Sequence, residues 1–162
     1  MCVEKEEEWR VYARVPTYQT GGGYLTVSGE GATFAAALSN MDMAAPMRIN
    51  LSQLRLLAAD VALARSGELR SLLSALADRA DMRMQCTVAL TEMPAKDIAD
   101  ALKPATGTRL SKALDLMIDA RIEQGIILPA TLADVLCMGE RQSPVVAALN
   151  VEEKEVGLSG GY

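Results

Sequence analysis

The residues from Leu54 to Leu90 constrain the fold of this chain most strongly, because they indicate a strand, a helix and a second strand in one continuous run. Leu54 to Ala59 form a short, almost wholly apolar segment, which is typical of a strand covered on both faces. Apolar residues at helical spacing follow from Glu68, and Met84 to Leu90 form the second strand. Such a crossover normally returns the chain parallel to the first strand. The sequence therefore predicts a central βαβ unit.

The segments on either side of this unit predict further strands and helices. Alternating apolar and polar residues favour strands at Trp9 to Val15 and Tyr24 to Val27, joined as a hairpin with a long connection. We expect Ser28 to Gly31 to turn the chain into a helix that Thr33 caps. Similar patterns predict helices within 94–102, 110–122 and 129–136 and strands at 145–149 and 153–158. The predicted fold class is α/β, in the mixed α+β sense, with a mixed β-sheet built round the βαβ unit and several covering helices.

Length and charge limit the class of protein. A chain of 162 residues is long enough for one domain with its own core, and we expect residues 1–162 to form a single domain. A net charge of −5 does not suit a nucleic-acid-binding surface, so no nucleic acid is predicted as a partner. No apolar run approaches the roughly 20 residues that span a bilayer. We therefore expect this chain by itself to be soluble.

The cysteines and the acidic run near the amino terminus have plain interpretations. The three cysteines form no CxxC pair, and their odd number argues against a disulfide framework. We expect Cys86 and Cys137 to be buried packing residues. Cys2 follows the first residue, and its role in lipid anchoring is left open. Glu4 to Glu8 are predicted to form a solvated leader.

The search for catalytic chemistry finds little. The sequence has no His, which removes Ser-His-Asp and Cys-His arrangements and most zinc sites. Asp115 and Asp119 stand one helical turn apart and are interpreted as part of a solvated helix face. Gly21, Gly22 and Gly23 lack the Gly-Lys-Ser/Thr of a phosphate-binding loop, so they are interpreted as a hairpin tip. No catalytic residue, metal site or cofactor is predicted.

A group of charged residues lies between the predicted central helix and the second strand. It consists of Asp78, Arg79, Asp81 and Arg83, which we call the charged cluster. The plain interpretation is a polar turn, and the alternative is a contact patch for a partner protein. The sequence alone leaves both open.

The residues from Gly31 to Asn40 are Gly-Ala-Thr-Phe-Ala-Ala-Ala-Leu-Ser-Asn. They resemble the Gly-x-Thr-hydrophobic-x-x-Ala-Leu-x-Asn stretch that follows the opening strands in the Ger(x)C family of spore germination proteins, the C subunits of nutrient germinant receptors. The likeness continues through the strand and helix of the βαβ unit. Further segments that resemble the family are Asp60–Ala64, Arg83, Pro94–Ile98, Pro129–Asp134 and Gly157–Gly160.

The resemblance implies a non-enzymatic receptor subunit. It implies that residues 1–162 are the N-terminal domain of a longer protein that also has a signal peptide, a lipid anchor and carboxy-terminal domains. The whole protein would be held by its lipid on the outer face of the spore inner membrane and would act with membrane-embedded A and B subunits. We expect a docking module, with the charged cluster and the Gly21–Gly23 hairpin tip as candidate contacts.

A small-ligand-binding domain is the alternative function. Ligands of open α/β sheets bind in the crevice at the carboxyl ends of the parallel strands. In this chain that crevice is expected near Asp60, Val61 and Thr91. Calorimetry with amino acids, sugars and nucleosides distinguishes this function from docking.

Overall fold

The structure is a computed structural model that describes residues 1–16, 23–101, 110–138, 146–152 and 155–161. The strands are β1 (Cys2–Lys5), β2 (Trp9–Pro16), β3 (Tyr24–Gly31), β4 (Leu56–Asp60), β5 (Thr87–Thr91), β6 (Ala147–Glu152) and β7 (Glu155–Gly161). The helices are α1 (Phe34–Ala44), α2 (Val61–Arg65), α3 (Glu68–Ala77), α4 (Ala95–Asp100), α5 (Leu110–Glu123) and α6 (Leu132–Cys137), with a 3-10 turn at Leu51–Gln53.

The strands of the described residues form one mixed sheet in the order β3-β2-β1-β4-β5-β6-β7. The middle of the sheet is parallel, since β4 pairs in parallel with β1 on one side and with β5 on the other, and β5 pairs in parallel with β6. The other three pairs, β1–β2, β2–β3 and β6–β7, are antiparallel. The predicted central βαβ unit, the β2–β3 hairpin and the mixed sheet are confirmed.

Side chains of the central strands alternate between two apolar layers, as the strand period of two residues requires. Leu57, Ala59 and Val88 point to the layer that contains α1, α3 and α6. Ala58 and Ala89 point to the opposite layer, which contains α4 and α5. Because the sheet is covered on both faces, the continuous apolar run of β4 is explained without alternation to polar residues.

The α3 helix follows its predicted pattern closely. Leu72, Leu73 and Leu76 are buried on its sheet-facing side. Gly67 precedes the helix with a φ of 79°, a left-handed conformation that glycine adopts without a steric penalty. The short helix α2 was not predicted, although Asp60 between β4 and α2 is an N-cap residue whose side chain accepts a hydrogen bond from the Ala62 N–H.

The interpretation of Glu4 to Glu8 as a solvated leader is wrong at its beginning. Glu4 belongs to β1, which lies between β2 and β4 in the sheet. Cys2 and Val3 are buried on opposite faces of this strand. Burial raises the pKa of the Cys2 thiol. Glu6 to Glu8 are exposed, so only this part of the acidic run is solvated.

The predicted turn at Ser28 to Gly31 is also wrong, because these residues continue β3 opposite Trp9 to Tyr12. The glycines serve close packing instead of a turn. A Cβ atom placed on Gly29 would lie 2.2 Å from the Ala37 carbonyl oxygen and 2.2 Å from the Met41 nitrogen. The backbone of α1 therefore rests directly on β3. The predicted Thr33 cap is confirmed, since its side chain accepts a hydrogen bond from the Ala36 N–H.

The cysteines in the second half of the chain differ from each other. Cys86 is buried as predicted, and burial raises the pKa of its thiol to about 12. Cys137 is exposed at the end of α6, so its predicted burial is wrong. Its helix begins at Leu132 behind a Thr131–Asp134 capping box, later than the predicted start at Pro129. The predicted strand starts at 145 and 153 lie outside the described residues.

In the described part of the chain, no helix combines the length and the apolar character needed to cross a membrane.

Candidate partner-contact surfaces

Two members of the charged cluster bind each other in the connection between α3 and β5. The Arg79 guanidinium donates from Nε to Asp81 Oδ1 at 2.9 Å and from a terminal nitrogen to Asp81 Oδ2 at 3.0 Å. Asp81 also accepts a hydrogen bond from the Leu51 N–H at 3.4 Å. These hydrogen bonds hold the pKa of Asp81 below its usual range and raise the pKa of Arg79. Arg79 and Asp81 therefore fix the shape of this connection.

The other two members of the cluster are exposed. Asp78 ends α3 as its C-terminal cap residue, and Arg83 lies beyond the Arg79–Asp81 pair toward β5. The charge of Arg83 acts on Asp115 of α5, whose carboxylate pairs with Arg55 at 3.4 Å. Burial is the larger effect there and raises the pKa of Asp115. Arg79 is thus held by Asp81, whereas the Arg83 side chain is exposed.

Arg79 also borders a groove between α1 and α3, which we call the α1–α3 groove. Its volume is about 300 Å³. Phe34, Leu38 and Ala75 supply apolar walls, and Ser39, Asp42 and Arg79 supply polar ones. The Asp42 Oδ2 atom is 4.0 Å from an Arg79 nitrogen, too far for a hydrogen bond. The Asp42 Oδ1 atom is buried and has no hydrogen-bond partner among the described residues.

Sequence reasoning did not single out Asp42. It is a single acidic residue on an amphipathic helix, and this pattern normally indicates a solvated position. Only the placement of α1 beside α3 brings Asp42 next to Arg79 and buries one of its oxygens. No spacing within the sequence signals that placement.

The predicted hairpin tip is described only in part. Gly21 and Gly22 lie outside the described residues, and Gly23 is exposed directly before β3. The strand ends beside this tip are paired, since Pro16 lies opposite Tyr24 in the register and the Arg14 guanidinium lies 4.9 Å from the centre of the Tyr24 ring. The role of Gly21, Gly22 and Gly23 in binding stays a prediction.

The structure brings Asp60 and Thr91 together at the carboxyl ends of β4 and β5, where they are direct partners in the register. Their side chains serve local turns. Asp60 accepts a hydrogen bond from the Ala62 N–H at 2.8 Å, and Thr91 accepts one from the Met93 N–H at 2.9 Å. Val61 and Thr91 are buried, with exposed fractions of 6% and 1%. The predicted ligand crevice stays a prediction.

Ion pairs also lie at the carboxyl ends of the parallel strands. Lys5 at the end of β1 binds Glu68 of α3, and Arg65 binds Glu92 at 3.2 Å. Glu4 accepts a hydrogen bond from the Ala95 N–H at the start of α4 at 2.7 Å. These contacts join the helices of both faces to the carboxyl edge.

A second cavity lies at the opposite, amino end of β4. Its volume is about 140 Å³, and its walls include Tyr12, Arg14, Tyr24 and Arg55. Arg14 already donates a hydrogen bond to the Ala101 carbonyl at 2.5 Å. In the part of the chain that the structure describes, no three His, Cys, Asp or Glu side chains are grouped to hold a metal ion.

Comparison with known proteins gives one match. The model of the family described as spore germination protein N-terminal domain matches residues 2–150. The searches of curated proteins and of solved structures found no match.

Proposed function

This chain belongs to the Ger(x)C family of spore germination proteins, whose N-terminal domain it matches over residues 2–150, and we propose that it is a docking module of a nutrient germinant receptor. The family match is the observation that carries the proposal. The family is not a known family of enzymes. We therefore propose that the chain contributes binding surfaces and no chemical step.

The proposed partners are the membrane-embedded A and B subunits of the receptor. We propose that the full-length protein is anchored by a lipid on the outer face of the spore inner membrane, with residues 1–162 as its N-terminal domain. In this arrangement the domain holds the membrane subunits in the assembly that responds to a nutrient.

The charged cluster supports docking through its geometry. The Arg79–Asp81 pair holds the connection between α3 and β5 in one conformation. Asp78 and Arg83 are thereby presented to solvent on a fixed backbone. A loop held in its bound conformation loses less conformational entropy when a partner binds. Exposed charges at the rim of such a surface steer association and help to select the partner.

A pull-down from solubilised spore membranes tests the proposal. The chain serves as bait, and bound proteins are identified by mass spectrometry. We expect the membrane-embedded receptor subunits to be recovered, and a folded bait that recovers neither subunit contradicts the docking function.

Variants of the exposed cluster residues refine this test. The double variant Asp78→Lys with Arg83→Glu is expected to reduce recovery of the subunits while leaving the fold intact, because both side chains are exposed. Arg121→Glu at the end of α5 is the matched control, since it also reverses an exposed arginine. Arg79 is unsuitable here, because its reversal also breaks the pair with Asp81.

A small-ligand-binding function is the second proposal, supported by the pairing of Asp60 with Thr91 at the strand ends. Calorimetry with amino acids, sugars and nucleosides tests it. Heat of binding that disappears in Asp60→Ala supports this function, and silence across the panel favours docking.

A further inference from the structure

The cavity at the amino end of β4, which we call the amino-end cavity, combines hydrogen-bond donors with an apolar wall. Its volume of about 140 Å³ exceeds the roughly 10–15 Å³ that one water molecule needs. The polar side chains that line it are Tyr12, Arg14, Tyr24, Gln53 and Arg55. The apolar side chains include Leu56, Ile98 and Leu114, which belong to the core beneath α4 and α5. This cavity therefore suits a small organic ligand that has one polar end.

The charged side chains of the lining are both arginines, and none of the described residues that line the cavity is acidic. Arg55 pairs at 3.4 Å with Asp115, which does not line the cavity. Arg14 forms no ion pair within the part of the chain that the structure describes. With the Arg55–Asp115 pair counted as neutral, the lining keeps the one positive charge of Arg14. This charge favours a ligand with one negative charge.

The two guanidinium groups also supply more donors than the described protein atoms use. A guanidinium has five N–H donors. Among the described hydrogen bonds, Arg14 donates to the Ala101 carbonyl and Arg55 donates to Asp115. The Arg55 side chain is 48% exposed and Tyr24 is 37% exposed, so a ligand can reach the cavity from solvent. The remaining N–H groups match a ligand that is rich in acceptor oxygens.

Two further acidic residues lie near the cavity but outside its lining. Glu4 accepts hydrogen bonds from the Ala95 N–H at 2.7 Å and from the Tyr12 hydroxyl at 3.3 Å. Asp100 at the end of α4 is exposed. The charges of Glu4 and Asp100 act on Cys2, which lines the cavity. Because neither carboxylate lines the cavity, neither offers a direct partner there to a cationic group of a ligand.

We propose that the amino-end cavity binds a small monocarboxylate with a branched apolar body. Arg14 donates to the carboxylate, since a planar guanidinium matches the two oxygens of that group. The apolar body packs on Leu56, Ile98 and Leu114. A zwitterionic amino acid fits less well, because its ammonium group finds no carboxylate in the described lining. This site lies at the opposite end of β4 from Asp60, and the inference does not depend on the docking function.

NMR titration of the methyl-labelled full chain tests the proposal, with isocaproate as the probe. We expect saturable shifts at the methyl groups of Ile98 and Leu114, which line the cavity. Val61 at the carboxyl end of β4 reports on the other candidate crevice and is expected to stay unchanged. The same titration gives the dissociation constant and the location of the ligand.

Three related compounds separate the contributions of the two ends of the ligand. Isocaproamide has the same body without the charge, and L-leucine adds an ammonium group to the same skeleton. Acetate keeps the carboxylate without the branched body. Each is expected to bind about tenfold or more weakly than isocaproate. Equal affinity for isocaproate and isocaproamide overturns the role of the carboxylate.

Two variants of the lining test the role of charge. Arg14→Gln removes the unpaired positive charge and is expected to weaken isocaproate binding about tenfold or more, while Arg14→Lys restores part of the affinity. Arg70→Gln is the matched control, because Arg70 also donates to a backbone carbonyl, that of Met138, but does not line the cavity. The control is expected to bind as wild type does.

A second position guards against misfolding as an explanation. Gln53 lines the cavity and is exposed, so Gln53→Glu adds a negative charge to the lining without disturbing the core. It is expected to weaken binding by a similar factor. Ser52→Glu adds the same charge at the exposed neighbour outside the lining and is expected to have a smaller effect. Thermal unfolding verifies that each variant keeps its fold.

The outcomes are distinct from those of the docking experiments. Saturable shifts at Ile98 and Leu114 that weaken in Arg14→Gln and Gln53→Glu support the carboxylate site. Shifts confined to Val61, or no shift with a folded chain at millimolar isocaproate, overturn it. The pull-down of the receptor subunits is read separately, so failure of either proposal leaves the other in place.

Discussion

The two sides of helix α1 differ sharply in how they are packed. Toward β3 the helix backbone rests on Gly29, where an added Cβ atom would lie 2.2 Å from main-chain atoms. Toward α3 the same helix borders a groove of about 300 Å³ with a buried oxygen that has no donor. One side is fully occupied and the other is open. Substitutions on the two sides of this helix are therefore expected to differ in their effect on stability.

Substitution on the β3-facing side of α1 is expected to have the largest effect on stability. Gly29→Ala forces a methyl group into the α1 backbone and is expected to lower the free energy of unfolding by about 3 kcal/mol or more, since overpacking against main chain cannot be relieved by a rotamer change. Chemical denaturation measures the loss. Ser28→Ala, an exposed neighbour on β3, is the control and is expected to stay within about 0.5 kcal/mol of wild type. Equal stability of both variants would show that α1 is not closely packed on β3.

Leu38 belongs to both sides, because it lies in the core and also lines the groove. Leu38→Ala is expected to cost about 2–3 kcal/mol, toward the lower part of the range for core leucines, because the open groove lets solvent and neighbours adjust. Denaturation at equilibrium provides the measurement. Met43→Ala on the same helix, at a side chain that is 74% exposed, is the control with little expected change. A cost near the upper end of the range, about 5 kcal/mol, would show that the groove is closed in solution.

Lowering the pH is expected to destabilise the connection between α3 and β5, which borders the α1–α3 groove. Asp81 has a folded pKa below its usual value of 3.8 because Arg79 donates two hydrogen bonds to it. A lowered folded pKa contributes stability that is present above the unfolded pKa and is lost as pH falls through the folded pKa. Unfolding followed from neutral pH to about pH 3 should show this loss.

Asp81→Asn isolates the contribution of this one group. The variant is expected to be less stable at neutral pH and to lose less stability on acidification than wild type. Asp134 also has a lowered pKa, caused by Thr131, so part of the acid dependence is expected to remain. An unchanged acid dependence in Asp81→Asn would contradict the proposed role of the Arg79–Asp81 pair.

The open side gives the smallest expected effect on stability. Ser39→Trp places a large ring in the α1–α3 groove and is expected to change the free energy of unfolding by about 0.5 kcal/mol or less, because the residue is exposed. Thermal unfolding is a sufficient measurement. If Ser39→Trp lowered the free energy of unfolding as much as Gly29→Ala, the two sides of α1 would be equally closely packed.

Local patterns predicted the central unit well. The spacing of Leu72, Leu73 and Leu76 identified α3, and the unbroken apolar run of β4 indicated burial on both faces. These signals depend on residues within one element, so they are visible in the sequence. The family resemblance that begins at Gly31 is confirmed by the family-model match over residues 2–150.

Features that depend on distant partners were missed. β1 has only Cys2 and Val3 as apolar residues, and the acidic residues that follow them do not indicate a strand. Pairing with β2 and β4 stabilises β1. Gly29 looked like a turn residue because glycine favours turns, whereas its role is to leave room for α1. The exposure of Cys137 likewise depends on where α6 ends against α3.

The candidate site was predicted only in its local part. The sequence identified the charged residues between α3 and β5, including Arg79 and Asp81, because they are close together in the chain. It did not show that Arg79 pairs with Asp81 while Arg83 is exposed, or that Asp42 lines a groove with Arg79. Those facts come from the relative placement of helices on the sheet.

The position of β1 has a consequence for how the chain acquires its structure. β1 joins β2, its immediate successor, to β4, which is separated from it by the hairpin and α1. Contacts between residues far apart in the chain slow folding, because the loop between them must be ordered first. During synthesis, Cys2 and Val3 emerge long before their partners Ala58 and Ala59. The amino-terminal hairpin and the parallel strands therefore become one sheet only when the ribosome has released β4.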